Sequence, residues 1–432
     1  MCYFASGEGK YAVRARSMEG YQKLSYLRPG LLIPHLSKPT FRPKSPSSVK
    51  ARAFAACFTA MMVAVHYTNY SPLIVTIRNE LHITSGQVGL FSTLLFLGLA
   101  ITYIPAGILA DRLGGQRVLL GSCILLSIGG ILLPLFANLP WLLLCRILVG
   151  LGSGGAFVAG AGVAAGLGKH ASLGQGLYGG ATQVGSGMGL LVTPFLLSLL
   201  GWRGSFLFWG LLSTITIVLW LFINDGQEGH KPTQVDLKAA VRSPSVWTLG
   251  LSHLGTFGLG NAIAAWITIY LVDQYHLSLT LAATFGSFGI LSGMFFRPIG
   301  GILLARKTIG AIPLLRLGTI MGTIGVGLLA IPLHFPPFAI IGMSLIAIGS
   351  TTPYTSVFNS AANLRSVGKG VAQGFVSLIS SPTVIIGPPL IGFLLDRTGT
   401  FTLAFGSIML FGFVAITSSF LAGPAVKREA ST

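Results

Sequence analysis

Residues 107–117 of the chain read Gly-Ile-Leu-Ala-Asp-Arg-Leu-Gly-Gly-Gln-Arg, and a partial copy, Gly-Ile-Leu-Leu-Ala-Arg-Lys, stands at residues 301–307. The second copy begins 194 residues after the first, and the same offset carries Pro194 onto Pro388. One offset that aligns matches in separate parts of a chain indicates an internal repeat. The sequence therefore predicts two similar halves that are folded in the same orientation.

The chain is strongly apolar, and its apolar residues come in long runs. Hydrophobic residues make up 52% of the chain and charged residues 9%, with a mean hydropathy of +0.77. Runs of about 20 apolar residues are long enough to span a bilayer as helices, and these runs do not alternate as barrel strands would. Twelve such runs are predicted at 53–76, 87–110, 117–138, 141–167, 173–200, 203–224, 245–272, 279–304, 311–332, 336–361, 368–395 and 400–423. We therefore expect an all-α membrane protein with twelve transmembrane helices in two six-helix bundles.

The repeat and the apolar runs divide the chain into five segments. They are a basic tail at 1–51, a first six-helix bundle at 52–224, a central loop at 225–244, a second six-helix bundle at 245–424 and a short tail at 425–432.

The distribution of positive charge predicts the orientation. The two tails and the even-numbered loops, counted with the run ends next to them, hold 23 of the 28 Lys and Arg residues. Basic residues concentrate on the cytoplasmic side of membrane proteins, so both termini are expected in the cytoplasm and the protein in the cell (inner or plasma) membrane. The net charge of +18 then reflects topology and attraction to membrane lipid rather than nucleic-acid binding.

The first 50 residues differ from the rest, being polar, basic and poor in acids. We expect a cytoplasmic tail on an anionic membrane surface. Two alternatives stay open, which are an organellar transit peptide and a true start at Met18.

Nothing in the chain indicates catalysis. The four cysteines, Cys2, Cys57, Cys123 and Cys145, do not stand at metal or redox spacings, and no catalytic cluster is apparent. We expect no enzyme activity, no metal and no cofactor, and a protein that functions as a monomer with a small-molecule substrate.

The stretch at 107–117 resembles the loop motif between helices two and three of the major facilitator superfamily of secondary transporters. Residues 146–154, Arg-Ile-Leu-Val-Gly-Leu-Gly-Ser-Gly, resemble the helix-four motif of the same family. The resemblance covers about residues 52–424 and implies alternating access around a site between the bundles. It implies a gating role for Gly107, Asp111, Arg112, Gly114, Arg117 and Arg306, and a helix-four role for Arg146, Gly150 and Gly154.

Asp111 is the acid of this motif, and it stands next to Arg112 and near Arg117. A pairing of these charges would clamp one conformation, so we expect Asp111 to govern the conformational switch. The second copy has Ala305 where the acid would fall, so the corresponding clamp of the second half is degraded.

The resemblance implies that helices one, four, seven and ten line a central cavity. Polar residues on these helices and on the flanking ones are the candidate substrate contacts. They are Tyr67, Tyr103, Gln183, Asn261, Tyr354, Asn359 and Gln373. Each of them is equally suited to hydrogen bonds between membrane helices, which are common.

Arg297 is the sharpest candidate for a substrate contact. All ten acidic residues lie outside the apolar runs, whereas Arg146 and Arg297 lie inside them, and a charge at that depth usually faces a partner or a watery cavity. The segment Phe-Arg-Pro-Ile-Gly-Gly at 296–301 resembles nitrate/nitrite porters, in which an arginine of helix eight binds the anion. The second arginine of those porters corresponds here to Tyr103, which favours a singly charged anion. The alternative role for Arg297 is to cap carbonyls freed by Pro298.

The leading interpretation is a secondary transporter for a small anion, such as nitrate, nitrite or an organic monocarboxylate. The alternatives are a carrier that exports drugs or other small molecules and, from another class, a non-transporting receptor or scaffold. We expect anion exchange rather than proton symport. His66 is the possible proton carrier, because His253 is placed nearer a helix end, but His66 is also suited to neutral hydrogen bonding.

Overall fold

The computed structural model describes residues 47–167, 171–224, 237–332, 335–364, 367 and 369–431. Of the predicted tail at 1–51, residues 1–46 lie outside these ranges, and so do residues 225–236 of the central loop. Within the described ranges all regular structure is helical, which confirms the predicted all-α class.

The first half of the chain, residues 47–224, forms six helical elements of varied length. They are α1 (Val49–Thr68), α2 (Ile74–Leu81), α3 (Ser85–Leu113), α4 (Gly115–Leu132), α5 (Leu139–Ala165) and α6 (Ala171–Phe222), with short 3-10 turns at Ser71–Leu73 and Leu133–Leu135.

The second half, residues 237–431, is divided into more pieces. They are α7 (Leu237–Arg242), α8 (Pro244–His253), a π-helical turn (Leu254–Gly258), α9 (Leu259–Tyr275), α10 (Leu279–Leu291), α11 (Gly293–Ala305), α12 (Ala311–Ala330), α13 (Pro336–Thr351), α14 (Tyr354–Ala362), α15 (Lys369–Ser380), α16 (Pro382–Thr398) and α17 (Phe401–Ser431).

These elements make twelve membrane-crossing segments. Eleven described helices are long and apolar enough to cross a membrane. One of them, Gly176–Phe222, has 47 residues, about twice the length that a bilayer requires. It is broken at Gly201, whose φ of 68° lies in the left-handed region that glycine adopts without strain. The break falls between the predicted runs at 173–200 and 203–224, so the predicted twelve helices are confirmed.

Several of the predicted runs are not continuous helices, and the breaks in three of them concern the site. The seventh contains the π-helical turn at Leu254–Gly258, the eighth is interrupted at Ser292, and the tenth is interrupted at Thr352–Pro353. Pro353 has no N–H to continue the helical hydrogen bonds, and a π-helical turn often marks a functional position in a helix. All three breaks lie in helices that surround the cavity described below.

Glycines bring α3 and α5 into backbone contact. A Cβ atom on Gly150 would overlap the carbonyl oxygen of Leu95, and one on Gly154 would overlap Leu99 and Thr102. Membrane helices associate through such close packing, because lipid supplies little hydrophobic driving force between them. The glycines of the helix-four motif are therefore packing positions in this structure.

The two halves meet tightly at the end of the molecule that lies away from residues 107–117, called here the far end. The carboxylate of Asp396, at the end of α16, accepts hydrogen bonds from the backbone N–H groups of Ser85 (3.0 Å) and Gly86 (2.8 Å). These two N–H groups belong to the first turn of α3, where the helix dipole favours a negative charge. A Cβ atom on Gly392 of α16 would also overlap the backbone of Ser85. The far end is therefore the closed end.

Replacement of Gly150 by alanine should destabilise the fold. The added Cβ meets the backbone of Leu95, which cannot rotate away, so a loss of about 1–3 kcal/mol or more is expected from overpacking. Thermal unfolding in detergent measures this loss. Gly121→Ala on α4 is the matched control, because nothing lies within 4 Å of its Cβ position, and it should be neutral or slightly stabilising. Equal melting temperatures for the two variants would contradict the packing role.

Removal of the Asp396 carboxylate should loosen the closed end. A disulfide between cysteines that replace Gly86 and Phe393 reports closure of the far end. A Cβ atom on residue 86 would lie 3.5 Å from the Cα atom of residue 393. Asp396→Ala should lower the yield of this disulfide, because a charged helix cap contributes about 1 kcal/mol. Glu80→Ala is the control, since Glu80 binds Arg203 and Trp202 within the first half and should leave the yield unchanged. Equal loss in both variants would contradict a specific role for Asp396.

Candidate functional site

Arg297 lies on α11 at the interface between the halves, and its guanidinium reaches across to α6. Nη1 donates to the carbonyl oxygen of Gly179 (2.8 Å) and to the hydroxyl of Thr182 (2.9 Å). The absence of a side chain at Gly179 makes room for this approach, since a Cβ there would lie 3.4 Å from Nη1. The two contacts fix the orientation of the guanidinium with neutral partners.

Tyr354 of α14 covers one face of the same guanidinium. The Arg297 Cζ atom lies 4.2 Å from the centre of the Tyr354 ring, a distance at which the ring quadrupole attracts the cation. The Tyr354 ring packs in turn on Phe358, at 4.6 Å between ring centres. The aromatic face stabilises the positive charge without neutralising it.

The remaining edge of the guanidinium has no partner. Arg297 Nε is buried and makes no hydrogen bond, and no described residue accepts from Nη2. These two atoms form the edge that binds a carboxylate, nitrate or similar planar oxyanion with two parallel hydrogen bonds. Because a buried donor without a partner is costly, the open edge indicates a site for a ligand.

Three tyrosines lie near the guanidinium. Tyr67 of α1 and Tyr354 lie close enough to interact electrostatically with Arg297, and Tyr103 of α3 lies close to Tyr354. No described residue forms a hydrogen bond with the hydroxyls of Tyr67, Tyr103 or Tyr354, whereas the hydroxyl of Tyr178 donates to the carbonyl of Phe157 (2.7 Å). The three free hydroxyls are therefore available as donors to an anion.

Arg297 also lines a cavity of about 70 Å³, several times the space that one water molecule requires. The cavity lies between α6, α9, α10, α11 and α13, and includes the π-helical turn. Its polar lining residues are Gln183, Ser186, Thr256, Asn261, Ser350 and Thr351. Two of the predicted contacts, Gln183 and Asn261, thus share the cavity with Arg297.

Asn359 and Gln373 are placed elsewhere. Asn359 is exposed beyond Tyr354 on α14 and lines a separate recess with Lys307 and Asn363. The Gln373 amide donates to the carbonyl of Phe358 (3.3 Å), which is a contact between neighbouring helices. The structure does not bring these two residues to the open edge of Arg297.

Arg146, the other arginine that the sequence analysis singled out, has a hydrogen-bond partner at each guanidinium nitrogen and lines neither of the two recesses described above. Its Nε donates to the carbonyl of Phe91 (3.0 Å), its Nη2 to the carbonyl of His66 (2.9 Å) and its Nη1 to the side-chain oxygen of Asn69 (3.4 Å). It is completely buried and joins α1, α3 and α5. The packing role is therefore the one that its geometry supports.

His66 is held in one neutral form by its neighbours. Arg146 binds the oxygen of Asn69, which turns the Asn69 amino group toward His66 Nδ1 (3.4 Å). The His66 Nε2 faces the hydroxyl of Ser213 (3.0 Å), whose own hydrogen is donated to the carbonyl of Trp209. In this arrangement Nδ1 accepts and Nε2 donates, so a second ring proton would meet the Asn69 amino group. The geometry favours neutral hydrogen bonding by His66.

The predicted gating residues lie around the end of α3. The Asp111 side chain lies outside the described part of the structure, and Arg112, Arg117 and Arg306 are exposed. Gly114 has a φ of 87° and ends α3, which lets α4 begin at once. The clamp that the motif implies stays a prediction.

Sequence reasoning missed several residues of the site. Gly179 contributes a carbonyl, Thr182 a hydroxyl and the π-helical turn the side chains of Thr256 and Phe257. The face of α6 that carries Gly179, Thr182, Gln183 and Ser186 follows helical spacing, and it was detectable as a polar stripe. The carbonyl contact and the π-helical turn have no comparable signal in the sequence.

The site as described suits binding rather than catalysis. The described residues contain no group of His, Cys, Asp or Glu arranged to hold a metal, and the residues that line the cavity or touch Arg297 include no carboxylate. A fixed cation, free hydroxyls and amides form a set of donors. Such a set binds a negatively charged ligand that brings acceptors of its own.

Comparison with known proteins is consistent with this geometry. A family model described as the Major Facilitator Superfamily matches residues 56–381. The chain is 26% identical over 357 residues to "Probable nitrate transporter NarT" of Staphylococcus epidermidis. This match covers 80% of the chain and 89% of that protein. It is 24% identical over 387 residues to "Probable anion transporter 6, chloroplastic" of Arabidopsis thaliana, which covers 82% of this chain and 75% of that protein.

Among solved structures, the fold is similar to that of a bacterial homolog of the human lysosomal transporter Spinster, in an inward-facing and occupied conformation. The TM-score is 0.70 at 19% sequence identity, and the match covers 87% of this chain and 97% of that one.

Thr182→Val should weaken the binding of nitrate, used here as a probe, by about 2–10-fold, the effect of losing one hydrogen bond. The valine keeps the shape of the side chain but removes the hydroxyl that accepts from Arg297 Nη1, so the guanidinium is less well fixed. Thr182→Ser keeps the hydroxyl and is the matched control. Titration calorimetry on the purified protein measures both affinities. Equal affinities for the valine and serine variants would contradict a role of Thr182 in positioning Arg297.

Proposed function

The chain belongs to the Major Facilitator Superfamily of membrane transporters, and from that premise we propose that it carries a small, singly charged anion by alternating access. The proposed substrates are nitrate, nitrite or an organic monocarboxylate. The likeness to "Probable nitrate transporter NarT" and "Probable anion transporter 6, chloroplastic" supports an anionic cargo.

The observation that carries the proposal is the open edge of Arg297. A buried guanidinium whose Nη1 is anchored and whose Nε has no partner is oriented for a planar oxyanion. Guanidinium suits this role because it stays charged and donates in a fixed fork. An apolar or cationic drug would leave the same donors unsatisfied, which speaks against the export of such compounds.

Charge balance supports a monovalent substrate. The cavity and the contacts of Arg297 supply one cation, with hydroxyls from Tyr67, Tyr103 and Tyr354 in place of a second one. One cation neutralises one negative charge, and a second buried negative charge would lack a partner and be costly to hold there. The neutral donors then select substrates by the shape of the anion and the positions of its acceptor atoms.

The position of Arg297 between the halves fits alternating access. We propose that the six-helix bundles at 52–224 and 245–424 rock about the site, with the gating motif and Asp111 setting the balance between the two conformations. Opening the far end requires the Asp396 contacts to separate, and Arg297 bridges to Gly179 near the centre. A bound ligand that contacts residues of both bundles would favour the movement of the two bundles together.

The placement in the cell is part of the proposal. The charge pattern supports both termini in the cytoplasm of a cell membrane, with residues 107–117 on the cytoplasmic side and the far end outside. Large apolar side chains that are exposed in the structure, among them Leu199, Phe222 and Leu410, are suited to contact lipid. We propose that the monomer is the functional unit and that it does not bind nucleic acid.

Arg297→Lys should lower nitrate uptake into proteoliposomes tenfold or more. Lysine keeps the positive charge but loses the parallel hydrogen bonds, and a hydrogen bond to a charged group contributes about 1.5–3 kcal/mol. Counterflow of labelled nitrate measures the loss. A panel of nitrate, nitrite, acetate and a lipophilic cation identifies the cargo class in the same vesicles.

The control is Arg316→Lys on α12, because Arg316 binds carbonyls of Ser419 and Phe420 away from the cavity. This variant should transport normally. Unimpaired nitrate uptake by Arg297→Lys, or by Arg297→Ala, would overturn the assignment of Arg297. Uptake of the lipophilic cation in place of every anion would overturn the proposed substrate class.

A further inference from the structure

A second histidine, His253, lies next to the site that binds the anion in the proposed function. It is buried at the end of α8, directly before the π-helical turn whose Thr256 and Phe257 line the cavity. Its ring stacks on Phe257 (5.6 Å between centres) and meets the edge of Phe358 (5.4 Å). His253 is therefore one residue layer behind the cavity wall.

The same aromatic residues join His253 to the cation. Phe358 packs on Tyr354, and Tyr354 covers the guanidinium of Arg297. His253 and Arg297 are close enough to interact electrostatically. A positive charge on His253 is thus felt by Arg297 and by any ligand bound to it.

The hydrogen bonds of His253 leave one ring nitrogen open. Nδ1 lies 2.6 Å from the hydroxyl of Thr256, and that hydroxyl also reaches the carbonyl oxygen of His253 (3.3 Å). We assign Nδ1 as the donor to Thr256 and the hydroxyl as the donor to the carbonyl, because this assignment satisfies both groups. No described residue binds Nε2, so Nε2 is the atom that can accept a proton without disturbing these bonds. This differs from His66, whose two ring nitrogens are both engaged.

The charged groups on the other helices packed against α8 are held away from His253. Glu429 of α17 accepts from Ser243 at the opposite end of α8, and Arg316 of α12 donates to the carbonyl of Ser419. The other charged residues of these helices whose side chains are described are exposed and lie near the Ser243 end of α8. They are Lys238, Arg242, Lys427 and Arg428. Among the described side chains, Arg297 is the charged group that interacts electrostatically with His253.

From this geometry we propose, in place of the anion exchange expected from the sequence, that His253 takes up a proton at Nε2 when the anion binds to Arg297, so that anion and proton are carried together; the inference rests on the proposed function. In the empty site a proton on His253 would face the unneutralised cation of Arg297. The bound anion removes that repulsion, so each ligand strengthens the binding of the other.

The charge of the site is the same before and after loading. The empty site carries the single positive charge of Arg297, and the loaded site carries Arg297, protonated His253 and the anion, which again sum to one positive charge. The protein therefore changes conformation with the same net charge in the site, whether the site is empty or loaded. The anion arrives with its negative charge, the proton comes from the solution on the same side, and both leave on the other side. Coupled movement of one proton and one monovalent anion is then electrically neutral.

The test measures proton uptake on nitrate binding in weakly buffered solution. Nitrate is the probe because it takes up no proton itself near neutral pH. The wild-type protein should bind protons with nitrate, and its nitrate affinity should rise as the pH falls, by up to tenfold per pH unit. His253→Gln should bind nitrate without proton uptake and with a flat pH dependence. His66→Gln is the matched control and should behave like the wild type.

Nitrate counterflow shows that the variants are folded. His253→Gln should keep nitrate–nitrate exchange and lose uptake driven by a proton gradient, because the anion site is intact and the proton site is not. Equal proton uptake in His253→Gln and wild type, or nitrate binding by the wild type without any proton, would overturn the role of His253. A wild-type protein that does not bind or exchange nitrate or any other anion of the panel would instead refute the proposed function.

Discussion

The guanidinium of Arg297 is held on one side by the carbonyl of Gly179 and the hydroxyl of Thr182, and its other edge has no protein partner. In a membrane interior such an edge is expensive to leave open. The surrounding features hold the guanidinium in this position. Gly179 has no side chain to obstruct it, and Tyr354 covers one of its faces. The breaks in the seventh, eighth and tenth helices lie around the cavity beside it. An anion is the ligand that completes this arrangement.

Arg146 and Arg297 show how context divides one residue type into two roles. Arg146 donates hydrogen bonds to Phe91, His66 and Asn69 and joins three helices of the first half. Arg297 leaves donors free at the interface of the halves. The same contrast separates the histidines, because the neighbours of Arg146 hold His66 neutral, whereas His253 keeps Nε2 open beside the site. Structural support and ligand chemistry are thus carried by different members of each pair.

Much of the fold was predictable from local patterns, and less of the site. Apolar runs and the repeat depend on composition along the chain, so the twelve helices follow from them, and the isolated cation at Arg297 is visible in the same way as a candidate. The placement of Asn359 depends on how α14 turns after the break at Thr352–Pro353, which a continuous-helix expectation misses. The π-helical turn at Leu254–Gly258 supplies Thr256 and Phe257 to the cavity wall, and no residue type in that stretch demands it.

The account depends most directly on what occupies the open edge of Arg297. A high-resolution structure of the protein with nitrate, compared with one of Arg297→Lys under the same conditions, decides this. The account predicts a planar anion within hydrogen-bond distance of Nε and Nη2 in the wild type, with hydroxyls of Tyr67, Tyr103 or Tyr354 around it, and its loss in the variant. A wild-type structure in which this edge binds a protein carbonyl while nitrate lies elsewhere in the cavity would contradict it.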